Sequence, residues 1–202
     1  MHVHFRDPGM THKETFATGT IAAAYGGISC VFDMPNTKPP TTSVKALTDK
    51  MAHAEKTAHI DFGLYAGITD TNLADVDALA SHANGFKAYL GSTTNSLLLT
   101  PQNIKKAIVA VDKTSKPILI HAEDEACLQQ HALQPATLID HLKSRPASCE
   151  CAAIKQILDA TRHMKTRVHI CHLSSCDGLE LLRNRPTSIS CGVTPHLSLI
   201  HI

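Results

Sequence analysis

Two histidines stand two residues apart at the start of the chain, in His2-Val3-His4-Phe5-Arg6. On an extended strand that spacing turns both imidazoles to one face. Adjacent imidazoles can grip one divalent cation, and Zn²⁺ favours nitrogen ligands. A pair of ordinary strand histidines has the same spacing, so this pair alone decides nothing. Two more histidines close apolar runs: His121 follows Ile118-Leu119-Ile120, and His172 follows Arg167–Cys171. In α/β folds, functional side chains gather at the carboxyl ends of strands, around one crevice. Histidines at three such ends therefore predict a metal site made of His2, His4, His121 and His172.

Three further residues extend that chemistry. Lys87 lies within the apolar run Gly85-Phe86-Lys87-Ala88-Tyr89-Leu90-Gly91. A buried lysine is costly unless neutralised or paired. Desolvation lowers its pKa and frees the amine as a nucleophile. Such an amine can capture CO₂ as a carbamate, an anionic group able to bridge two metals. The alternative is a lysine that buries its stem and keeps its head in solvent. Arg6 follows the histidine pair at the same spacing, so it should share their face and could hold a carboxylate through two parallel hydrogen bonds. Asn36, in Met34-Pro35-Asn36-Thr37, either orients that same anion or serves as a turn residue beside Pro35.

The elements that must position these groups alternate. Strands are expected at His2–Arg6, Ile28–Asp33, Ile60–Ala66, Gly85–Tyr89, Ile118–His121, Arg167–Cys171 and Ser188–Val193. Helices are expected at Lys13–Tyr25, Ser43–Lys56, Asn72–His82, Pro101–Lys113, Glu150–His163 and Cys176–Arg183. Alternation of this kind predicts a parallel sheet with right-handed crossovers. About seven strands suit either a doubly wound sheet or an incomplete eight-fold barrel, and periodicity does not separate the two.

Bulk properties narrow the class. The 202 residues suit one core, and 43% hydrophobic with 18% charged residues is ordinary for a soluble globular protein. A net charge of +1 with scattered Lys and Arg gives no nucleic-acid footprint. No apolar run approaches the roughly 18–20 residues of a membrane span, and polar residues interrupt the start where a signal peptide would lie. Seven cysteines without a CxxC pair read as free thiols in a reducing cytoplasm. Cys149 and Cys151 read as packing residues, and Cys171 as a buried thiol or a metal contact. His12, His53, His59, His82, His131, His141 and His163 read as surface groups. His169, three residues before His172, falls on the opposite face of an ideal strand and reads as structural.

Taken together, the motifs resemble the dihydroorotases of the cyclic amidohydrolase group. The segments that carry the likeness are His2-Val3-His4-Phe5-Arg6-Asp7-Pro8-Gly9, Asp33-Met34-Pro35-Asn36-Thr37, Gly85-Phe86-Lys87, His121-Ala122-Glu123, Arg145-Pro146 with Glu150 four residues on, and His169-Ile170-Cys171-His172-Leu173-Ser174. The resemblance implies an α/β fold, an incomplete (β/α)₈ barrel over residues 1–196. It also implies two Zn²⁺ bridged by carboxylated Lys87. His2 and His4 would bind the more buried metal, and His121 and His172 the other. Arg6 and Asn36 would hold the substrate carboxylate. The implied reaction is reversible closure of N-carbamoyl-L-aspartate to L-dihydroorotate in pyrimidine synthesis. A homodimer or aspartate transcarbamoylase would be the protein partner.

The chain also departs from the family pattern. The family's general acid/base is an aspartate on an eighth strand, which lies beyond this sequence, so no catalytic residue is assigned and the 202 residues alone are expected to be inactive. Relatives often read Cys-Glu-Val-Thr-Pro-His-His where this chain has Cys191-Gly192-Val193-Thr194-Pro195-His196-Leu197. The tail 197–202 matches the translation of a sequencing-library adapter and is expected to be non-native. Two competing readings remain open: an allantoinase- or dihydropyrimidinase-like hydrolase, against which Arg6 speaks, and a non-catalytic scaffold for aspartate transcarbamoylase, against which the full ligand set speaks.

Overall fold

The computed structural model describes residues 2–92, 97–134 and 137–194. His196 and the tail 197–202 lie outside the described residues. One sheet contains β1 (His2–Val3), β2 (Cys30–Asp33), β3 (Asp61–Ile68), β4 (Gly85–Tyr89), β5 (Ile118–His121), β6 (Val168–Ile170) and β7 (Ile189–Cys191). The strands lie in chain order, and every neighbouring pair is parallel. That order settles what periodicity left open. A doubly wound sheet reverses its strand order at a switch point, whereas a barrel adds each new strand on the same side. The sheet is an incomplete (β/α)₈ barrel.

Helices fill the crossovers: α1 (Phe16–Tyr25), α2 (Val44–Thr57), α3 (Val76–Ala80), α4 (Pro101–Asp112), α5 (Glu125–Gln130), α6 (Leu138–Ser144), α7 (Ala147–Ala160) and α8 (Cys176–Leu181). Local chemistry sets their starts. Thr15, Ser43, Asp124 and Ser175 accept the orphan amides of α1, α2, α5 and α8, and Thr137 with Asp140 forms a capping box on α6. The helix expected at Asn72–His82 is instead a 3₁₀ turn, Leu73–Asp75, followed by the short α3. α7 begins three residues earlier than expected, directly after Pro146, where a proline costs no hydrogen bond. The short helices α5 and α6 were not anticipated; each is too brief to show a 3.6-residue period.

Strand parity sorts the side chains into two cores. Val31, Leu64, Ala66, Phe86, Ala88, Ile118, Ile120, Val168 and Ile170 point outward and pack under the helices. The parallel register aligns the opposite face: Gly67 with Lys87, Lys87 with Leu119, Leu119 with His169, and His169 with Ser190. That inner row belongs to the barrel interior, where Met34, Leu119 and Cys171 form a small separate cluster. His169 therefore faces inward, which corrects its reading as a residue turned away from the site.

At the first edge, Phe5 packs edge-on against Phe16, with ring centroids 5.3 Å apart. Gly19 permits this: a Cβ there would lie 2.3 Å from the Phe5 ring. β1 stops after Val3, and Arg6 takes a left-handed φ of 66°. The expectation that Arg6 shares a strand face with His2 and His4 thus fails, because the strand has ended before it. His53 is no mere surface group either, since its ring lies 3.0 Å from the buried Asp7 carboxylate.

Beneath this edge, Lys50 of α2 sits 2.6 Å from Asp33 at the end of β2, with side chains 1% and 0% exposed. Lys50 also donates to the Met34 carbonyl, and Asp33 accepts from the Phe5 amide at 2.8 Å. Burial pushes the Asp33 carboxyl up and the Lys50 amine down, while their mutual attraction opposes both shifts.

The cysteines also correct an expectation. Cys127 of α5 and Cys149 of α7 are joined in a disulfide, and five cysteines are free. Sequence spacing alone could not reveal a bond across 22 residues that tertiary packing creates.

Two outcomes follow. Lys50→Met strands the Asp33 carboxylate without its cation and should lower the unfolding free energy by about 3–5 kcal/mol. Urea melts measure this, and a loss below about 1 kcal/mol would show the pair to be dispensable. In denaturant without reductant, a thiol reagent should count five thiols, and seven after reduction. Seven at the outset would refute the disulfide.

Candidate metal centre

The four histidines meet as two pairs at the carboxyl end of the sheet. His2 Nε2 lies 2.9 Å from His4 Nε2. His121 Nδ1 lies 3.0 Å from His172 Nε2. The His2 and His172 rings stand 6.3 Å apart, which brings the two pairs into one site. Both spacings approach the roughly 3.3 Å edge that nitrogens at 2.0–2.1 Å make around a tetrahedral centre.

Each pair has its tautomer set from outside. Asn36 Oδ1 lies 2.8 Å from His4 Nδ1. An amide oxygen only accepts, so Nδ1 carries the proton and Nε2 turns its lone pair toward His2. Glu123 Oε2 lies 2.8 Å from His121 Nε2 and fixes that ring in the same way, leaving Nδ1 as a lone pair facing His172. Burial would push Glu123 up, but its bond from His121 and the charges of His121 and Arg145 outweigh that and hold the carboxyl below its usual range. Without a cation, His2 and His172 supply the bridging protons. With one, all four nitrogens could present lone pairs.

The electrostatics favour that state. Burial lowers His2 to about 2, with further depression from Lys87 and His4. Burial takes His172 to about 3, helped by His121 and Lys87. His4 falls to about 4 for the same first reason, although its bond to Asn36 pulls the other way. These imidazoles are neutral at neutral pH, as a metal ligand must be.

Lys87 is completely buried on β4. Its Nζ lies 3.1 Å from Cys171 Sγ and 5.0 Å from the Tyr89 ring centre. That burial excludes the solvent-exposed alternative, and desolvation lowers the pKa of the amine. A donor set of four imidazoles and one desolvated amine fits borderline cations of the zinc type.

His172 reaches its partner by an unexpected route. On β6, strand parity turns His169 and Cys171 inward, which would send the next residue outward. A left-handed φ of 40° at His172 reverses that and swings the ring back to His121. Arg6 lies near the pairs: its charge acts on His4 and Tyr89, and its Nη1 donates to the Asn36 carbonyl at 3.2 Å. The Asn36 side chain itself is engaged with His4.

Two residues at the site escaped sequence reasoning. Glu123 is two positions after His121, a spacing that could have flagged it. Tyr89 is two positions after Lys87, and its hydroxyl is buried without a hydrogen-bond partner among the described residues. Other features carry less. A cavity of about 370 Å³ beside Met51, Glu55, Asp61 and Asn84 opens at the amino ends of β3 and β4, away from the histidines. Cys127, His131 and Cys149 also converge, but the disulfide occupies both sulfurs.

An open parallel barrel with its strands in chain order and two imidazole pairs at its carboxyl end defines an amidohydrolase-type barrel architecture. Comparison with known proteins agrees. Residues 1–178 match the dihydro-orotase-like family. The dihydroorotase of Methanosarcina acetivorans is 35% identical over 210 residues, covering 97% of this chain and 45% of the relative. An allantoinase of Rubrobacter xylanophilus is 32% identical, covering 98% of this chain and 46% of the relative. The L-hydantoinase (dihydropyrimidinase) structure from Arthrobacter aurescens superposes with a TM-score of 0.89 at 26% identity, covering 96% of this chain and 46% of that one. The chain belongs to the dihydro-orotase-like family, and it spans about half the length of the relatives it matches. Among the described residues, no helix is long and apolar enough to cross a membrane.

Lys87 has a measurable cost. Lys87→Met replaces a buried amine by an apolar chain of similar length. It should stabilise the chelator-treated protein by about 1–3 kcal/mol. A destabilised variant in urea melts would show that the amine is satisfied where it lies.

Proposed function

We propose that this chain carries the metal-binding part of a dihydroorotase, which hydrolyses the cyclic amide of L-dihydroorotate reversibly to N-carbamoyl-L-aspartate in cytoplasmic pyrimidine synthesis. The observation that carries the reading is the convergence of two tautomer-locked imidazole pairs around a fully buried lysine. His2 and His4 would hold one zinc ion and His121 and His172 the other. Lys87 would bridge them as its carbamate: the neutral amine bonds to CO₂, and a proton leaves to solvent. The carbamate supplies the anion that an all-nitrogen site lacks. When bound, the metals would activate a water and polarise the ring carbonyl.

The chain's own residues do the rest. Arg6 would anchor the substrate carboxylate from the rim of the site. Asn36 holds the His4 ring and braces Arg6 through its own carbonyl, with its amide nitrogen available to the same carboxylate. No described residue is assigned the proton transfer to the leaving nitrogen; the family resemblance puts that group on an eighth strand. Arg6 is also what favours dihydroorotate over allantoin or hydantoins, which offer no carboxylate at that point. Retention of every candidate ligand disfavours a metal-free scaffold for aspartate transcarbamoylase.

The test uses the protein expressed from its complete gene and loaded with zinc. It should hydrolyse dihydroorotate, and chelation should abolish this. Arg6→Ala should lower kcat/KM by about 10–100-fold, as loss of a charge-assisted contact does. Turnover of allantoin or a hydantoin in place of dihydroorotate, or full activity of the Arg6 variant, would overturn the assignment.

A further inference from the structure

We propose that the short stretch from Arg145 to Glu150 is a positioning device for both imidazoles of the second pair, His121 and His172. This rests on the metal-centre reading above. The stretch joins α6 to α7, and neither residue reaches the histidine nitrogens that face each other. Each instead grips the segment that presents one of those rings.

The Arg145 arm acts on His121. Its Nη1 pairs with Glu123 Oε2, the same oxygen that holds His121 Nε2. Without the guanidinium, Glu123 keeps only its bond to His121 and is free to rotate, and the His121 tautomer loses its lock. The segment after His121 is fixed to α7 in other ways too. The Asp124 amide donates to the Cys149 carbonyl at 3.0 Å, and Gln156 donates to the Asp124 carboxylate at 2.7 Å.

The Glu150 arm acts on His172. Its Oε1 accepts from the Ser174 amide at 2.9 Å and the Ser174 hydroxyl at 3.1 Å. Its Oε2 accepts from the Ser175 amide at 2.9 Å and from the Ser175 hydroxyl. Four donors thus converge on one buried carboxylate, two residues beyond the left-handed His172. A non-glycine residue keeps such a backbone conformation only where its surroundings over-determine it. Glu150 supplies that constraint, and parity alone would turn the ring outward. The neighbouring chain makes room for it: a Cβ at Gly178 would lie 2.8 Å from Glu150 Oε2. A carboxylate is required, because four donors need two acceptor oxygens. An amide would set its own N–H groups against one pair of them.

The Glu150 arm springs from the first turn of α7, whose Cys149, Ala153, Ile154 and Ile157 are fully buried, and the Arg145 arm from the end of α6 two residues before α7 begins. One short junction therefore sets the separation of two rings that come from different strands.

The experiment is a Zn²⁺ titration against a competing chelator, on the protein expressed from its complete gene. The unsubstituted protein should bind two ions. Glu150→Gln and Arg145→Ala should each weaken one ion by about 10–100-fold, the usual effect of removing a group that orients a ligand, and leave the other unchanged. Arg145→Lys should recover part of the loss. Arg145 is half-exposed, so its variants report even where Glu150→Gln fails to fold. Two ions held with unchanged affinity, or both weakened equally, would overturn the positioning role. An unsubstituted protein that binds no zinc would instead overturn the metal-centre reading, and this inference with it.

Discussion

Lys50 reaches from α2 to the end of β2 and meets Asp33 in a pocket closed to solvent. Around that contact three segments are tied together. Asp33 holds the Phe5 amide, Lys50 holds the Met34 carbonyl, and the Met34 amide in turn donates to Val3. The two-residue strand β1 has little ladder of its own, so its place depends on this knot. His2 and His4 lie just before Phe5, and Asn36 lies just after Met34. A buried ion pair is a poor source of net stability, since desolvating each ion costs several kcal/mol. Its contribution here is registry: it fixes the histidine strand against the residue that sets the His4 tautomer.

The same desolvation that makes this pair expensive prepares the site. Inside the barrel, burial disfavours the protonated form of His2, His4 and His172, which leaves those rings neutral. It also lowers the pKa of Lys87, whose amine donates to a thiol sulfur and not to a carboxylate. An anion beside Lys87 would have kept it charged and inert. The interior is thus arranged to lose charge, and the acceptors that orient the rings, Asn36 and Glu123, approach the faces away from the paired nitrogens.

Family membership and geometry contribute different things. The match to dihydro-orotase-like proteins fixes the family, and the likeness in fold to a hydantoinase agrees with the incomplete barrel. Under the proposed function, substrate choice would turn on Arg6 and not on the histidines. The Arg145 and Glu150 contacts belong to a further layer, which steadies the site from the α6–α7 junction without reaching the paired histidine nitrogens.

Much of this was written locally in the chain. Period-2 spacing placed His2 with His4, because a strand's pleat translates sequence parity directly into direction, and apolar runs put Lys87 inside one strand and His121 at the end of another. The alternation of strands and helices gave a parallel sheet. Parity misjudged His169, because it was judged against His172, and His172 does not follow its strand. Arg6 likewise left the strand before its parity could count. Barrel against open sheet, the Cys127–Cys149 bond, the Asp33–Lys50 knot and the four-donor grip of Glu150 all join residues far apart in sequence. No local pattern encodes such contacts; they exist only once packing has brought the segments together, and packing alone could turn His172 back toward His121.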